Sequence, residues 1–204
     1  MSDTRPVLFL SDFHDTALCY ERITDSLARG AIAPEHPFRY FAVATLDVDG
    51  SPDVRTVVLR GFDPDDRVIW FHTDVRSPKW DQIRRESRAM LLFYDDEVKL
   101  QLRIPVTITL HREDGMAAAA WGSIAETSRA GYASVEGPGT DLDADAVVST
   151  PPAPALDDAF AFGNFVVAAC RFDAMDVLEL HAEGHRRARI SWDNGRVQLQ
   201  RLAP

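Results

Sequence analysis

From residue 40 onward this chain is a succession of short β-rich runs separated by tight-turn signals, and that alternation constrains its fold more than any other feature. Tyr40 to Leu46 is apolar and strand-like, and Asp49-Gly50 follows as a hairpin turn, because Gly tolerates the positive φ such turns need. Val54 to Phe62 reads as the second strand, Asp63-Pro64-Asp65-Asp66 as a turn, and Arg67 to Thr73 as the third strand. Ala89 to Tyr94 and Val98 to Leu110 flank a turn at Asp95-Asp96. Pro105 has no N–H to give to a ladder and predicts an edge or a bulge in the longer run. Asn164 to Phe172, Asp176 to His181, Arg186 to Trp192 and Arg196 to Leu202 complete the set, the last two joined through Asp193-Asn194-Gly195. Roughly eight or nine strands with a few helices and short turns predict a mainly β, antiparallel barrel, not an alternating βαβ sheet.

The helical signals are few. Between Ser11 and Leu27, apolar Leu18, Ile23 and Leu27 are interleaved with charge; Ser11 or Asp12 is placed to cap the start and Gly30 to end it. Ser77 reads as a helix N-cap with Pro78 at the first helical position, where its missing N–H costs nothing, and the helix continues through Trp80, Ile83 and Arg84. Residues 113 to 133 predict one or two short helices around Trp121, and Asp157-Asp158 a capped turn. The segment of about 134–156, with Gly137-Pro138-Gly139 and Pro151-Pro152, predicts an exposed loop. At 204 residues the expectation is a single domain, 1–204, with an N-terminal helix over about 11–30.

Charge excludes several classes. With 32 acidic and 22 basic residues the chain carries −10, the opposite of the basic face of a nucleic-acid binder, and poorly suited to an anionic membrane surface. No apolar run approaches the ~20 residues of a membrane span. The start, Met-Ser-Asp-Thr-Arg-Pro, lacks a secretory pattern, and Cys19 and Cys170 make no disulfide framework, so the expected compartment is the cytoplasm.

Against this acidic background, residues 55 to 101 concentrate cations and hydroxyls in strand-like runs. Arg55 and Arg60 offer planar donor forks that fit phosphate. Thr73 and Ser77 add hydroxyls where a helix begins. Lys79 sits in the first helical turn, where a cation opposes the helix dipole and calls for an anion. Gln101, donor and acceptor at once, suits the edge of a planar heterocycle. The residues alone leave two readings open, an anion site and a solvated sheet face. His181 and His185 are four apart but lie around Gly184 in strand context, so no metal site is predicted.

The order of these blocks resembles the pyridoxamine 5′-phosphate oxidase-like, FMN-binding split-barrel proteins over nearly the whole length from Phe38. Arg55-Thr56-Val57-Val58-Leu59-Arg60 is similar to the family's Arg-x-Val-Leu-Leu-Lys strand, Phe71-His72-Thr73 to its Phe-Tyr-Thr, Ser77-Pro78-Lys79 to its Ser-Arg-Lys, and Leu91-Leu92-Phe93 with Leu100-Gln101-Leu102 to its Leu-Leu-Phe and Arg-Gln-Val. The resemblance implies a dimeric split β-barrel with two FMN sites at the subunit interface. It implies flavin contacts from Arg55 through Arg60, His72, Thr73, Ser77, Lys79 and Gln101, and from Arg187 and Arg189 in His185-Arg186-Arg187-Ala188-Arg189, a reduced form of the family's Arg-Leu-His-Asp-Arg.

The chain also departs from the pattern. Pro78 replaces a phosphate-contacting Arg, and His72 a Tyr. No Arg-Pro-x-x-Ser precedes Trp121 and no Gln-Ser follows it; Ser123, Thr127 and Ser128 are the nearest polar residues. Trp121, Ser128-Arg129 and Gly137-Pro138-Gly139 resemble a sub-branch of uncharacterised flavoproteins. The expectation is an FMN-dependent oxidoreductase with an unassigned small-molecule substrate, no assigned catalytic residue and little turnover of pyridoxamine 5′-phosphate. The alternatives are a true pyridoxamine 5′-phosphate oxidase and a non-catalytic flavin- or haem-binding sensor.

Overall fold

Helix α1 (Thr16–Ile32) forms because Cys19, Ile23 and Leu27 recur every fourth residue and bury one face. In the computed structural model, which describes residues 15–145, 158–180, 182 and 184–204, Asp15 is the cap, its carboxylate accepting from the Leu18 N–H at 2.9 Å. Ser11 and Asp12 lie outside the described residues. Gly30 does not end the helix as expected; it lies inside it, buried against the 3-10 turn Pro37–Arg39. A Cβ at Gly30 would stand 2.9 Å from the Cβ of Phe38, so the missing side chain serves close packing and not chain reversal.

The strands are β1 (Tyr40–Leu46), β2 (Pro52–Val58), β3 (Gly61–Asp63), β4 (Val68–Asp74), β5 (Arg88–Asp95), β6 (Leu100–His111), β7 (Phe165–Arg171), β8 (Ala174–Glu179), β9 (Arg186–Asp193) and β10 (Arg196–Leu202). Helix α2 (Pro78–Arg85) precedes β5, α3 (Gly115–Ser123) and α4 (Glu126–Arg129) follow β6, and α5 (Asp158–Asn164) leads into β7. Every pairing is antiparallel. One path runs β10-β9-β8-β6-β5-β1-β2, with β7 and β4 branching from β6. Along the same edge of β6, Leu100–Arg103 pairs with β8 and Thr107–His111 with β7, and this fork curls the sheet into a split half-barrel. Pro105 stands in the gap between the two partners. The expected edge is therefore local: β6 is central, and its proline sits where one side has no neighbour.

The concave face holds the main core, with Phe41 stacked on Phe93 at 4.5 Å and Phe38 and Phe71 around them. A second cluster joins Trp121 of α3 to Phe165 and Val167 of β7. The run expected as one strand, Val54 to Phe62, is broken at Leu59-Arg60. The Leu59 N–H turns to the Arg39 carbonyl and the Arg60 N–H to the Trp70 carbonyl, both at 2.8 Å. Residues 134–145 contain no helix or strand; the rest of the expected loop lies outside the described residues. Cys19 and Cys170 are buried and form no disulfide. No described helix is long and apolar enough to cross a membrane.

Candidate functional site

The alternation of β2 divides the first block between two faces. Arg55 and buried Val57 point with Val43 and Phe41 toward the concave side, while Thr56 and Val58 lie on the outer one. The Arg55 guanidinium is held by a polar network. Its Nη1 donates to Thr45 Oγ1, and its Nη2 to Gln82 Oε1 at 2.7 Å and to the carboxylate of Asp53. Gln82 is buried; its Nε2 donates to Asp53 at 2.9 Å and its Oε1 also accepts from Thr45 at 2.6 Å. This glutamine was not predicted from sequence. Its signal was available: it stands at the fifth position of α2, four residues after Pro78 and one turn beyond Lys79.

Helix α2 packs on β1 and carries Lys79 to the same place. Lys79 is half-buried and makes no hydrogen bond or ion pair among the described residues. Burial, and then the neighbouring Arg55 charge, hold its pKa below the ordinary lysine value, against the opposing pull of Asp74 and Asp53. Asp53 meets the Arg55 charge, while Lys79 near it has no ion-pair partner among the described residues, so an anion beside Lys79 would relieve its burial. The buried hydroxyls of Thr73 and Ser77 lie 3.1 Å apart at the start of α2. Ser77 occupies the N-cap position but does not cap through its side chain; its Oγ donates to the Asp74 carbonyl at 2.8 Å. Arg55, Lys79, Thr73 and Ser77 together fit the phosphate of FMN in charge and donor type.

Gln101, Arg187 and Arg189 are not part of this cluster within one chain. Arg55, Val43, Leu91 and Ile104 form one cross-strand row, three strand steps wide, or roughly 14 Å. Gln101 is three residues from Ile104 and so faces the opposite, outer side. There it shares a row with Leu178 and Arg187, and Arg189 shares the next with Asp176 and Arg103. Arg187 is committed to Asp176, donating from Nε at 3.1 Å and Nη2 at 2.9 Å. The same outer face exposes Tyr40, Val54, Met90, Leu92 and Tyr94, an apolar area with Tyr40 and Val54 each more than half exposed.

Arg60, released from β2 by the break at Leu59, reaches a third place. It lines a cavity of about 570 Å³ with Trp70 and His72 of β4, Met116 of α3, Ile124 and Val167. Burial, then the Arg60 charge, push His72 down to about 4, so the imidazole is neutral near pH 7. Its ring meets Phe165 edge-on at 4.8 Å. The buried Trp70 indole N–H has no acceptor among the described residues. His181 lies outside the described residues, so the His181–His185 spacing has no counterpart to report.

The chain is thus a curled, split antiparallel barrel that brings Arg55 and Lys79 near each other beside the Thr73 and Ser77 hydroxyls. Residues 20–112 match the family described as "Pyridoxamine 5'-phosphate oxidase, FMN-binding domain". That segment is similar to an FMN-binding domain, and the match supports FMN as the cofactor. The chain is 33% identical over 113 residues to the pyridoxine/pyridoxamine 5′-phosphate oxidase of Rhodopseudomonas palustris strain HaA2, covering 53% of this chain and 52% of that protein. The enzyme of the same name from Mesorhizobium japonicum is 34% identical over 115 residues, covering 55% and 54%. The chain therefore spans about half the length of the curated relatives it matches.

Two solved structures share the fold. A pyridoxamine 5′-phosphate oxidase-related, FMN-binding protein from Nostoc punctiforme superposes with a TM-score of 0.72 at 24% identity, covering 90% of this chain and 96% of that one. PhzG from Burkholderia lata, solved with tetrahydrophenazine-1-carboxylic acid, gives 0.65 at 20% identity, covering 91% and 89%.

Proposed function

We propose that the protein is an FMN-dependent oxidoreductase that acts on a small anionic molecule, as a single FMN-binding unit working in a homodimer. The carrying observation is Lys79, half-buried near Arg55 and without an ion-pair partner among the described residues, beside the buried hydroxyls of Thr73 and Ser77. These residues would hold the FMN phosphate. Bound FMN supplies the two-electron redox chemistry, so hydride transfer requires no acid or base from the chain. The chain's own part is to fix the flavin, admit the substrate and exclude water.

The separation of the expected site residues is what supports a dimer. Gln101, Arg187 and Arg189 stand on the exposed apolar face, away from Arg55 and Lys79 of the same chain. A two-fold pairing through that face would let one copy's outer residues approach the other's flavin. Sedimentation tests it: the wild type should run as a dimer, and Leu92→Asp, in the middle of the apolar face, as a monomer with weakened FMN binding.

The substrate would enter the cavity beside Arg60. One reading of it is pyridoxamine 5′-phosphate, and the curated relatives support this oxidase alternative more than the expectation of little turnover drawn from motif departures. Arg60 and Arg39 at the cavity are available charge for a phosphate. A steady-state assay with FMN-loaded protein decides the matter. Formation of pyridoxal 5′-phosphate with kcat/KM near ~10⁴ M⁻¹s⁻¹ or above establishes the oxidase reading. Failure to bind FMN at all, with a colourless protein that takes up none in titration, removes the proposal as a whole.

A further inference from the structure

One guanidinium at the margin of the phosphate cluster holds two distant parts of the chain at once. Arg76 lies in the turn between β4 and α2, next to Ser77. Its Nε and Nη2 donate to the two carboxylate oxygens of Asp74, at 2.9 and 2.7 Å, and its backbone N–H donates to the same carboxylate at 2.8 Å. Asp74 is buried at the end of β4, and its charge is felt at Lys79. A buried carboxylate near a phosphate site opposes the phosphate, and the paired fork of Arg76 offsets that charge.

The same guanidinium reaches a segment far along the chain. Its Nη1 donates to the Ser134 carbonyl at 2.6 Å and its Nη2 to the Tyr132 carbonyl at 3.3 Å. The Tyr132 carbonyl also accepts from Asn164 Nδ2 at 2.9 Å, and the Asn164 carbonyl accepts from the Val75 N–H of the turn at 3.0 Å. The Tyr132 ring packs edge-on against Trp121 and Phe165 in the second core cluster. Beyond Ser134 the chain passes over the start of α2. A Cβ at Gly137 would stand 2.6 Å from the Cβ of Arg76, and one at Gly139 would stand 3.4 Å from the ring of Pro78. Residues 132–139 are therefore a strap, fixed in the core at Tyr132 and lying on the turn that carries Ser77 into α2.

We infer that Arg76 is a positioning residue that ties this strap to the phosphate turn, so that binding of the FMN phosphate and closure of the strap stabilise each other. The inference rests on the proposal that Thr73, Ser77 and Lys79 hold that phosphate. A phosphate on those three residues fixes both flanks of the turn, and Arg76, the donor to the strap, stands between them. Such coupling is reciprocal. The factor by which FMN stabilises the closed strap is the factor by which a released strap weakens FMN. Riboflavin has no phosphate to place on the turn and leaves the strap as it is in the apo-protein.

Amide hydrogen exchange over residues 132–139, followed by mass spectrometry on the full chain, measures the coupling. FMN should slow exchange there by roughly five- to tenfold relative to the apo-protein, and riboflavin by less than about twofold. Gly137→Val pushes the strap off Arg76 and leaves the ion pair with Asp74 in place. It should speed exchange of the strap and weaken FMN by about the factor that FMN protects the wild type, with riboflavin affinity unchanged. Arg76→Gln should weaken FMN further, because it also uncovers the Asp74 charge. Three results overturn the coupling and leave the flavoprotein reading in place: FMN that binds without slowing exchange, Gly137→Val with unchanged exchange or unchanged FMN affinity, and equal losses for FMN and riboflavin. Should Arg76→Gln fail to fold, the wild type and Gly137→Val still decide. A wild-type chain that takes up no FMN overturns both readings together.

Discussion

Lys79→Met separates cofactor binding from folding more cleanly than any other change in the site. Lys79 has no hydrogen-bond or ion-pair partner among the described residues, so removing its ammonium orphans no protein group. Its pKa is lowered, first by burial and then by Arg55. The folded apo-protein therefore holds this proton less tightly than the unfolded chain does, and the charge opposes folding at neutral pH. The penalty fades as pH rises through the lowered value toward 10.5. Apo Lys79→Met should accordingly unfold at the same temperature as the wild type or higher at pH 7. FMN changes the sign of the interaction, since a phosphate beside Lys79 makes the ammonium favourable. A charge-assisted hydrogen bond of about 1.5–3 kcal/mol corresponds to a loss of roughly one to two powers of ten in FMN affinity. Riboflavin, which has no phosphate, should bind the variant and the wild type alike. Calorimetric titration with both flavins, with a thermal melt of each apo-protein, measures all of this. An unchanged FMN dissociation constant, or a loss shared equally by riboflavin, refutes the phosphate assignment. A marked drop in apo stability refutes the electrostatic account of Lys79.

Gln82→Met should weaken FMN about tenfold while leaving riboflavin affinity unchanged, because Gln82 orients Arg55 and Arg55 would meet only the phosphate; equal losses for both flavins would instead mark Gln82 as purely structural. The folded His72 pKa of about 4 lies below the 6.5 of an unperturbed histidine, so the unfolded chain takes up the proton first as pH falls. Stability from neutral His72 is complete above pH 6.5 and is lost as pH falls toward 4, by up to about 3 kcal/mol. Urea titrations across that range should show a flatter pH dependence in His72→Phe. Gly30→Ala should destabilise by about 1–3 kcal/mol in urea unfolding, because its Cβ would meet Phe38, even though alanine favours a helix; a stabilised variant would refute the close-packing role.

The local pattern was legible wherever it depended on neighbours in sequence. β1 runs over Tyr40–Leu46 as its composition predicts, and β10 over Arg196–Leu202. Pro78 begins α2, and the turn at Asn194-Gly195 has the positive φ that those residues accommodate. That Arg55 and Lys79, one in a strand and one in a helix, come near each other was anticipated only because the order of the blocks resembled a family. What failed at this level were boundaries set from outside the segment. Gly30 looked like a helix stop because sequence cannot show Phe38 standing over it. Val54 to Phe62 looked like one strand because the bonds that break it come from Arg39 and Trp70.

The sequence by itself determined a mainly β chain with a net acidic charge, a local concentration of cations and hydroxyls and a flavin family's spacing, since these follow from residue type, period and order along the chain. Only the tertiary structure decided which residues act together. The β6 fork curls the sheet and puts Arg55 and Gln101 on opposite faces, a relation that depends on register across four strands. Helix packing brings Lys79 near Arg55 and partly buries it, so that burial and then the Arg55 charge lower its pKa. The break after Val58 releases Arg60 into a cavity whose remaining walls come from residues far along the chain. Burial, charge proximity and cavity shape depend on distances in space, and a linear order of residues does not contain them until the sheet has closed.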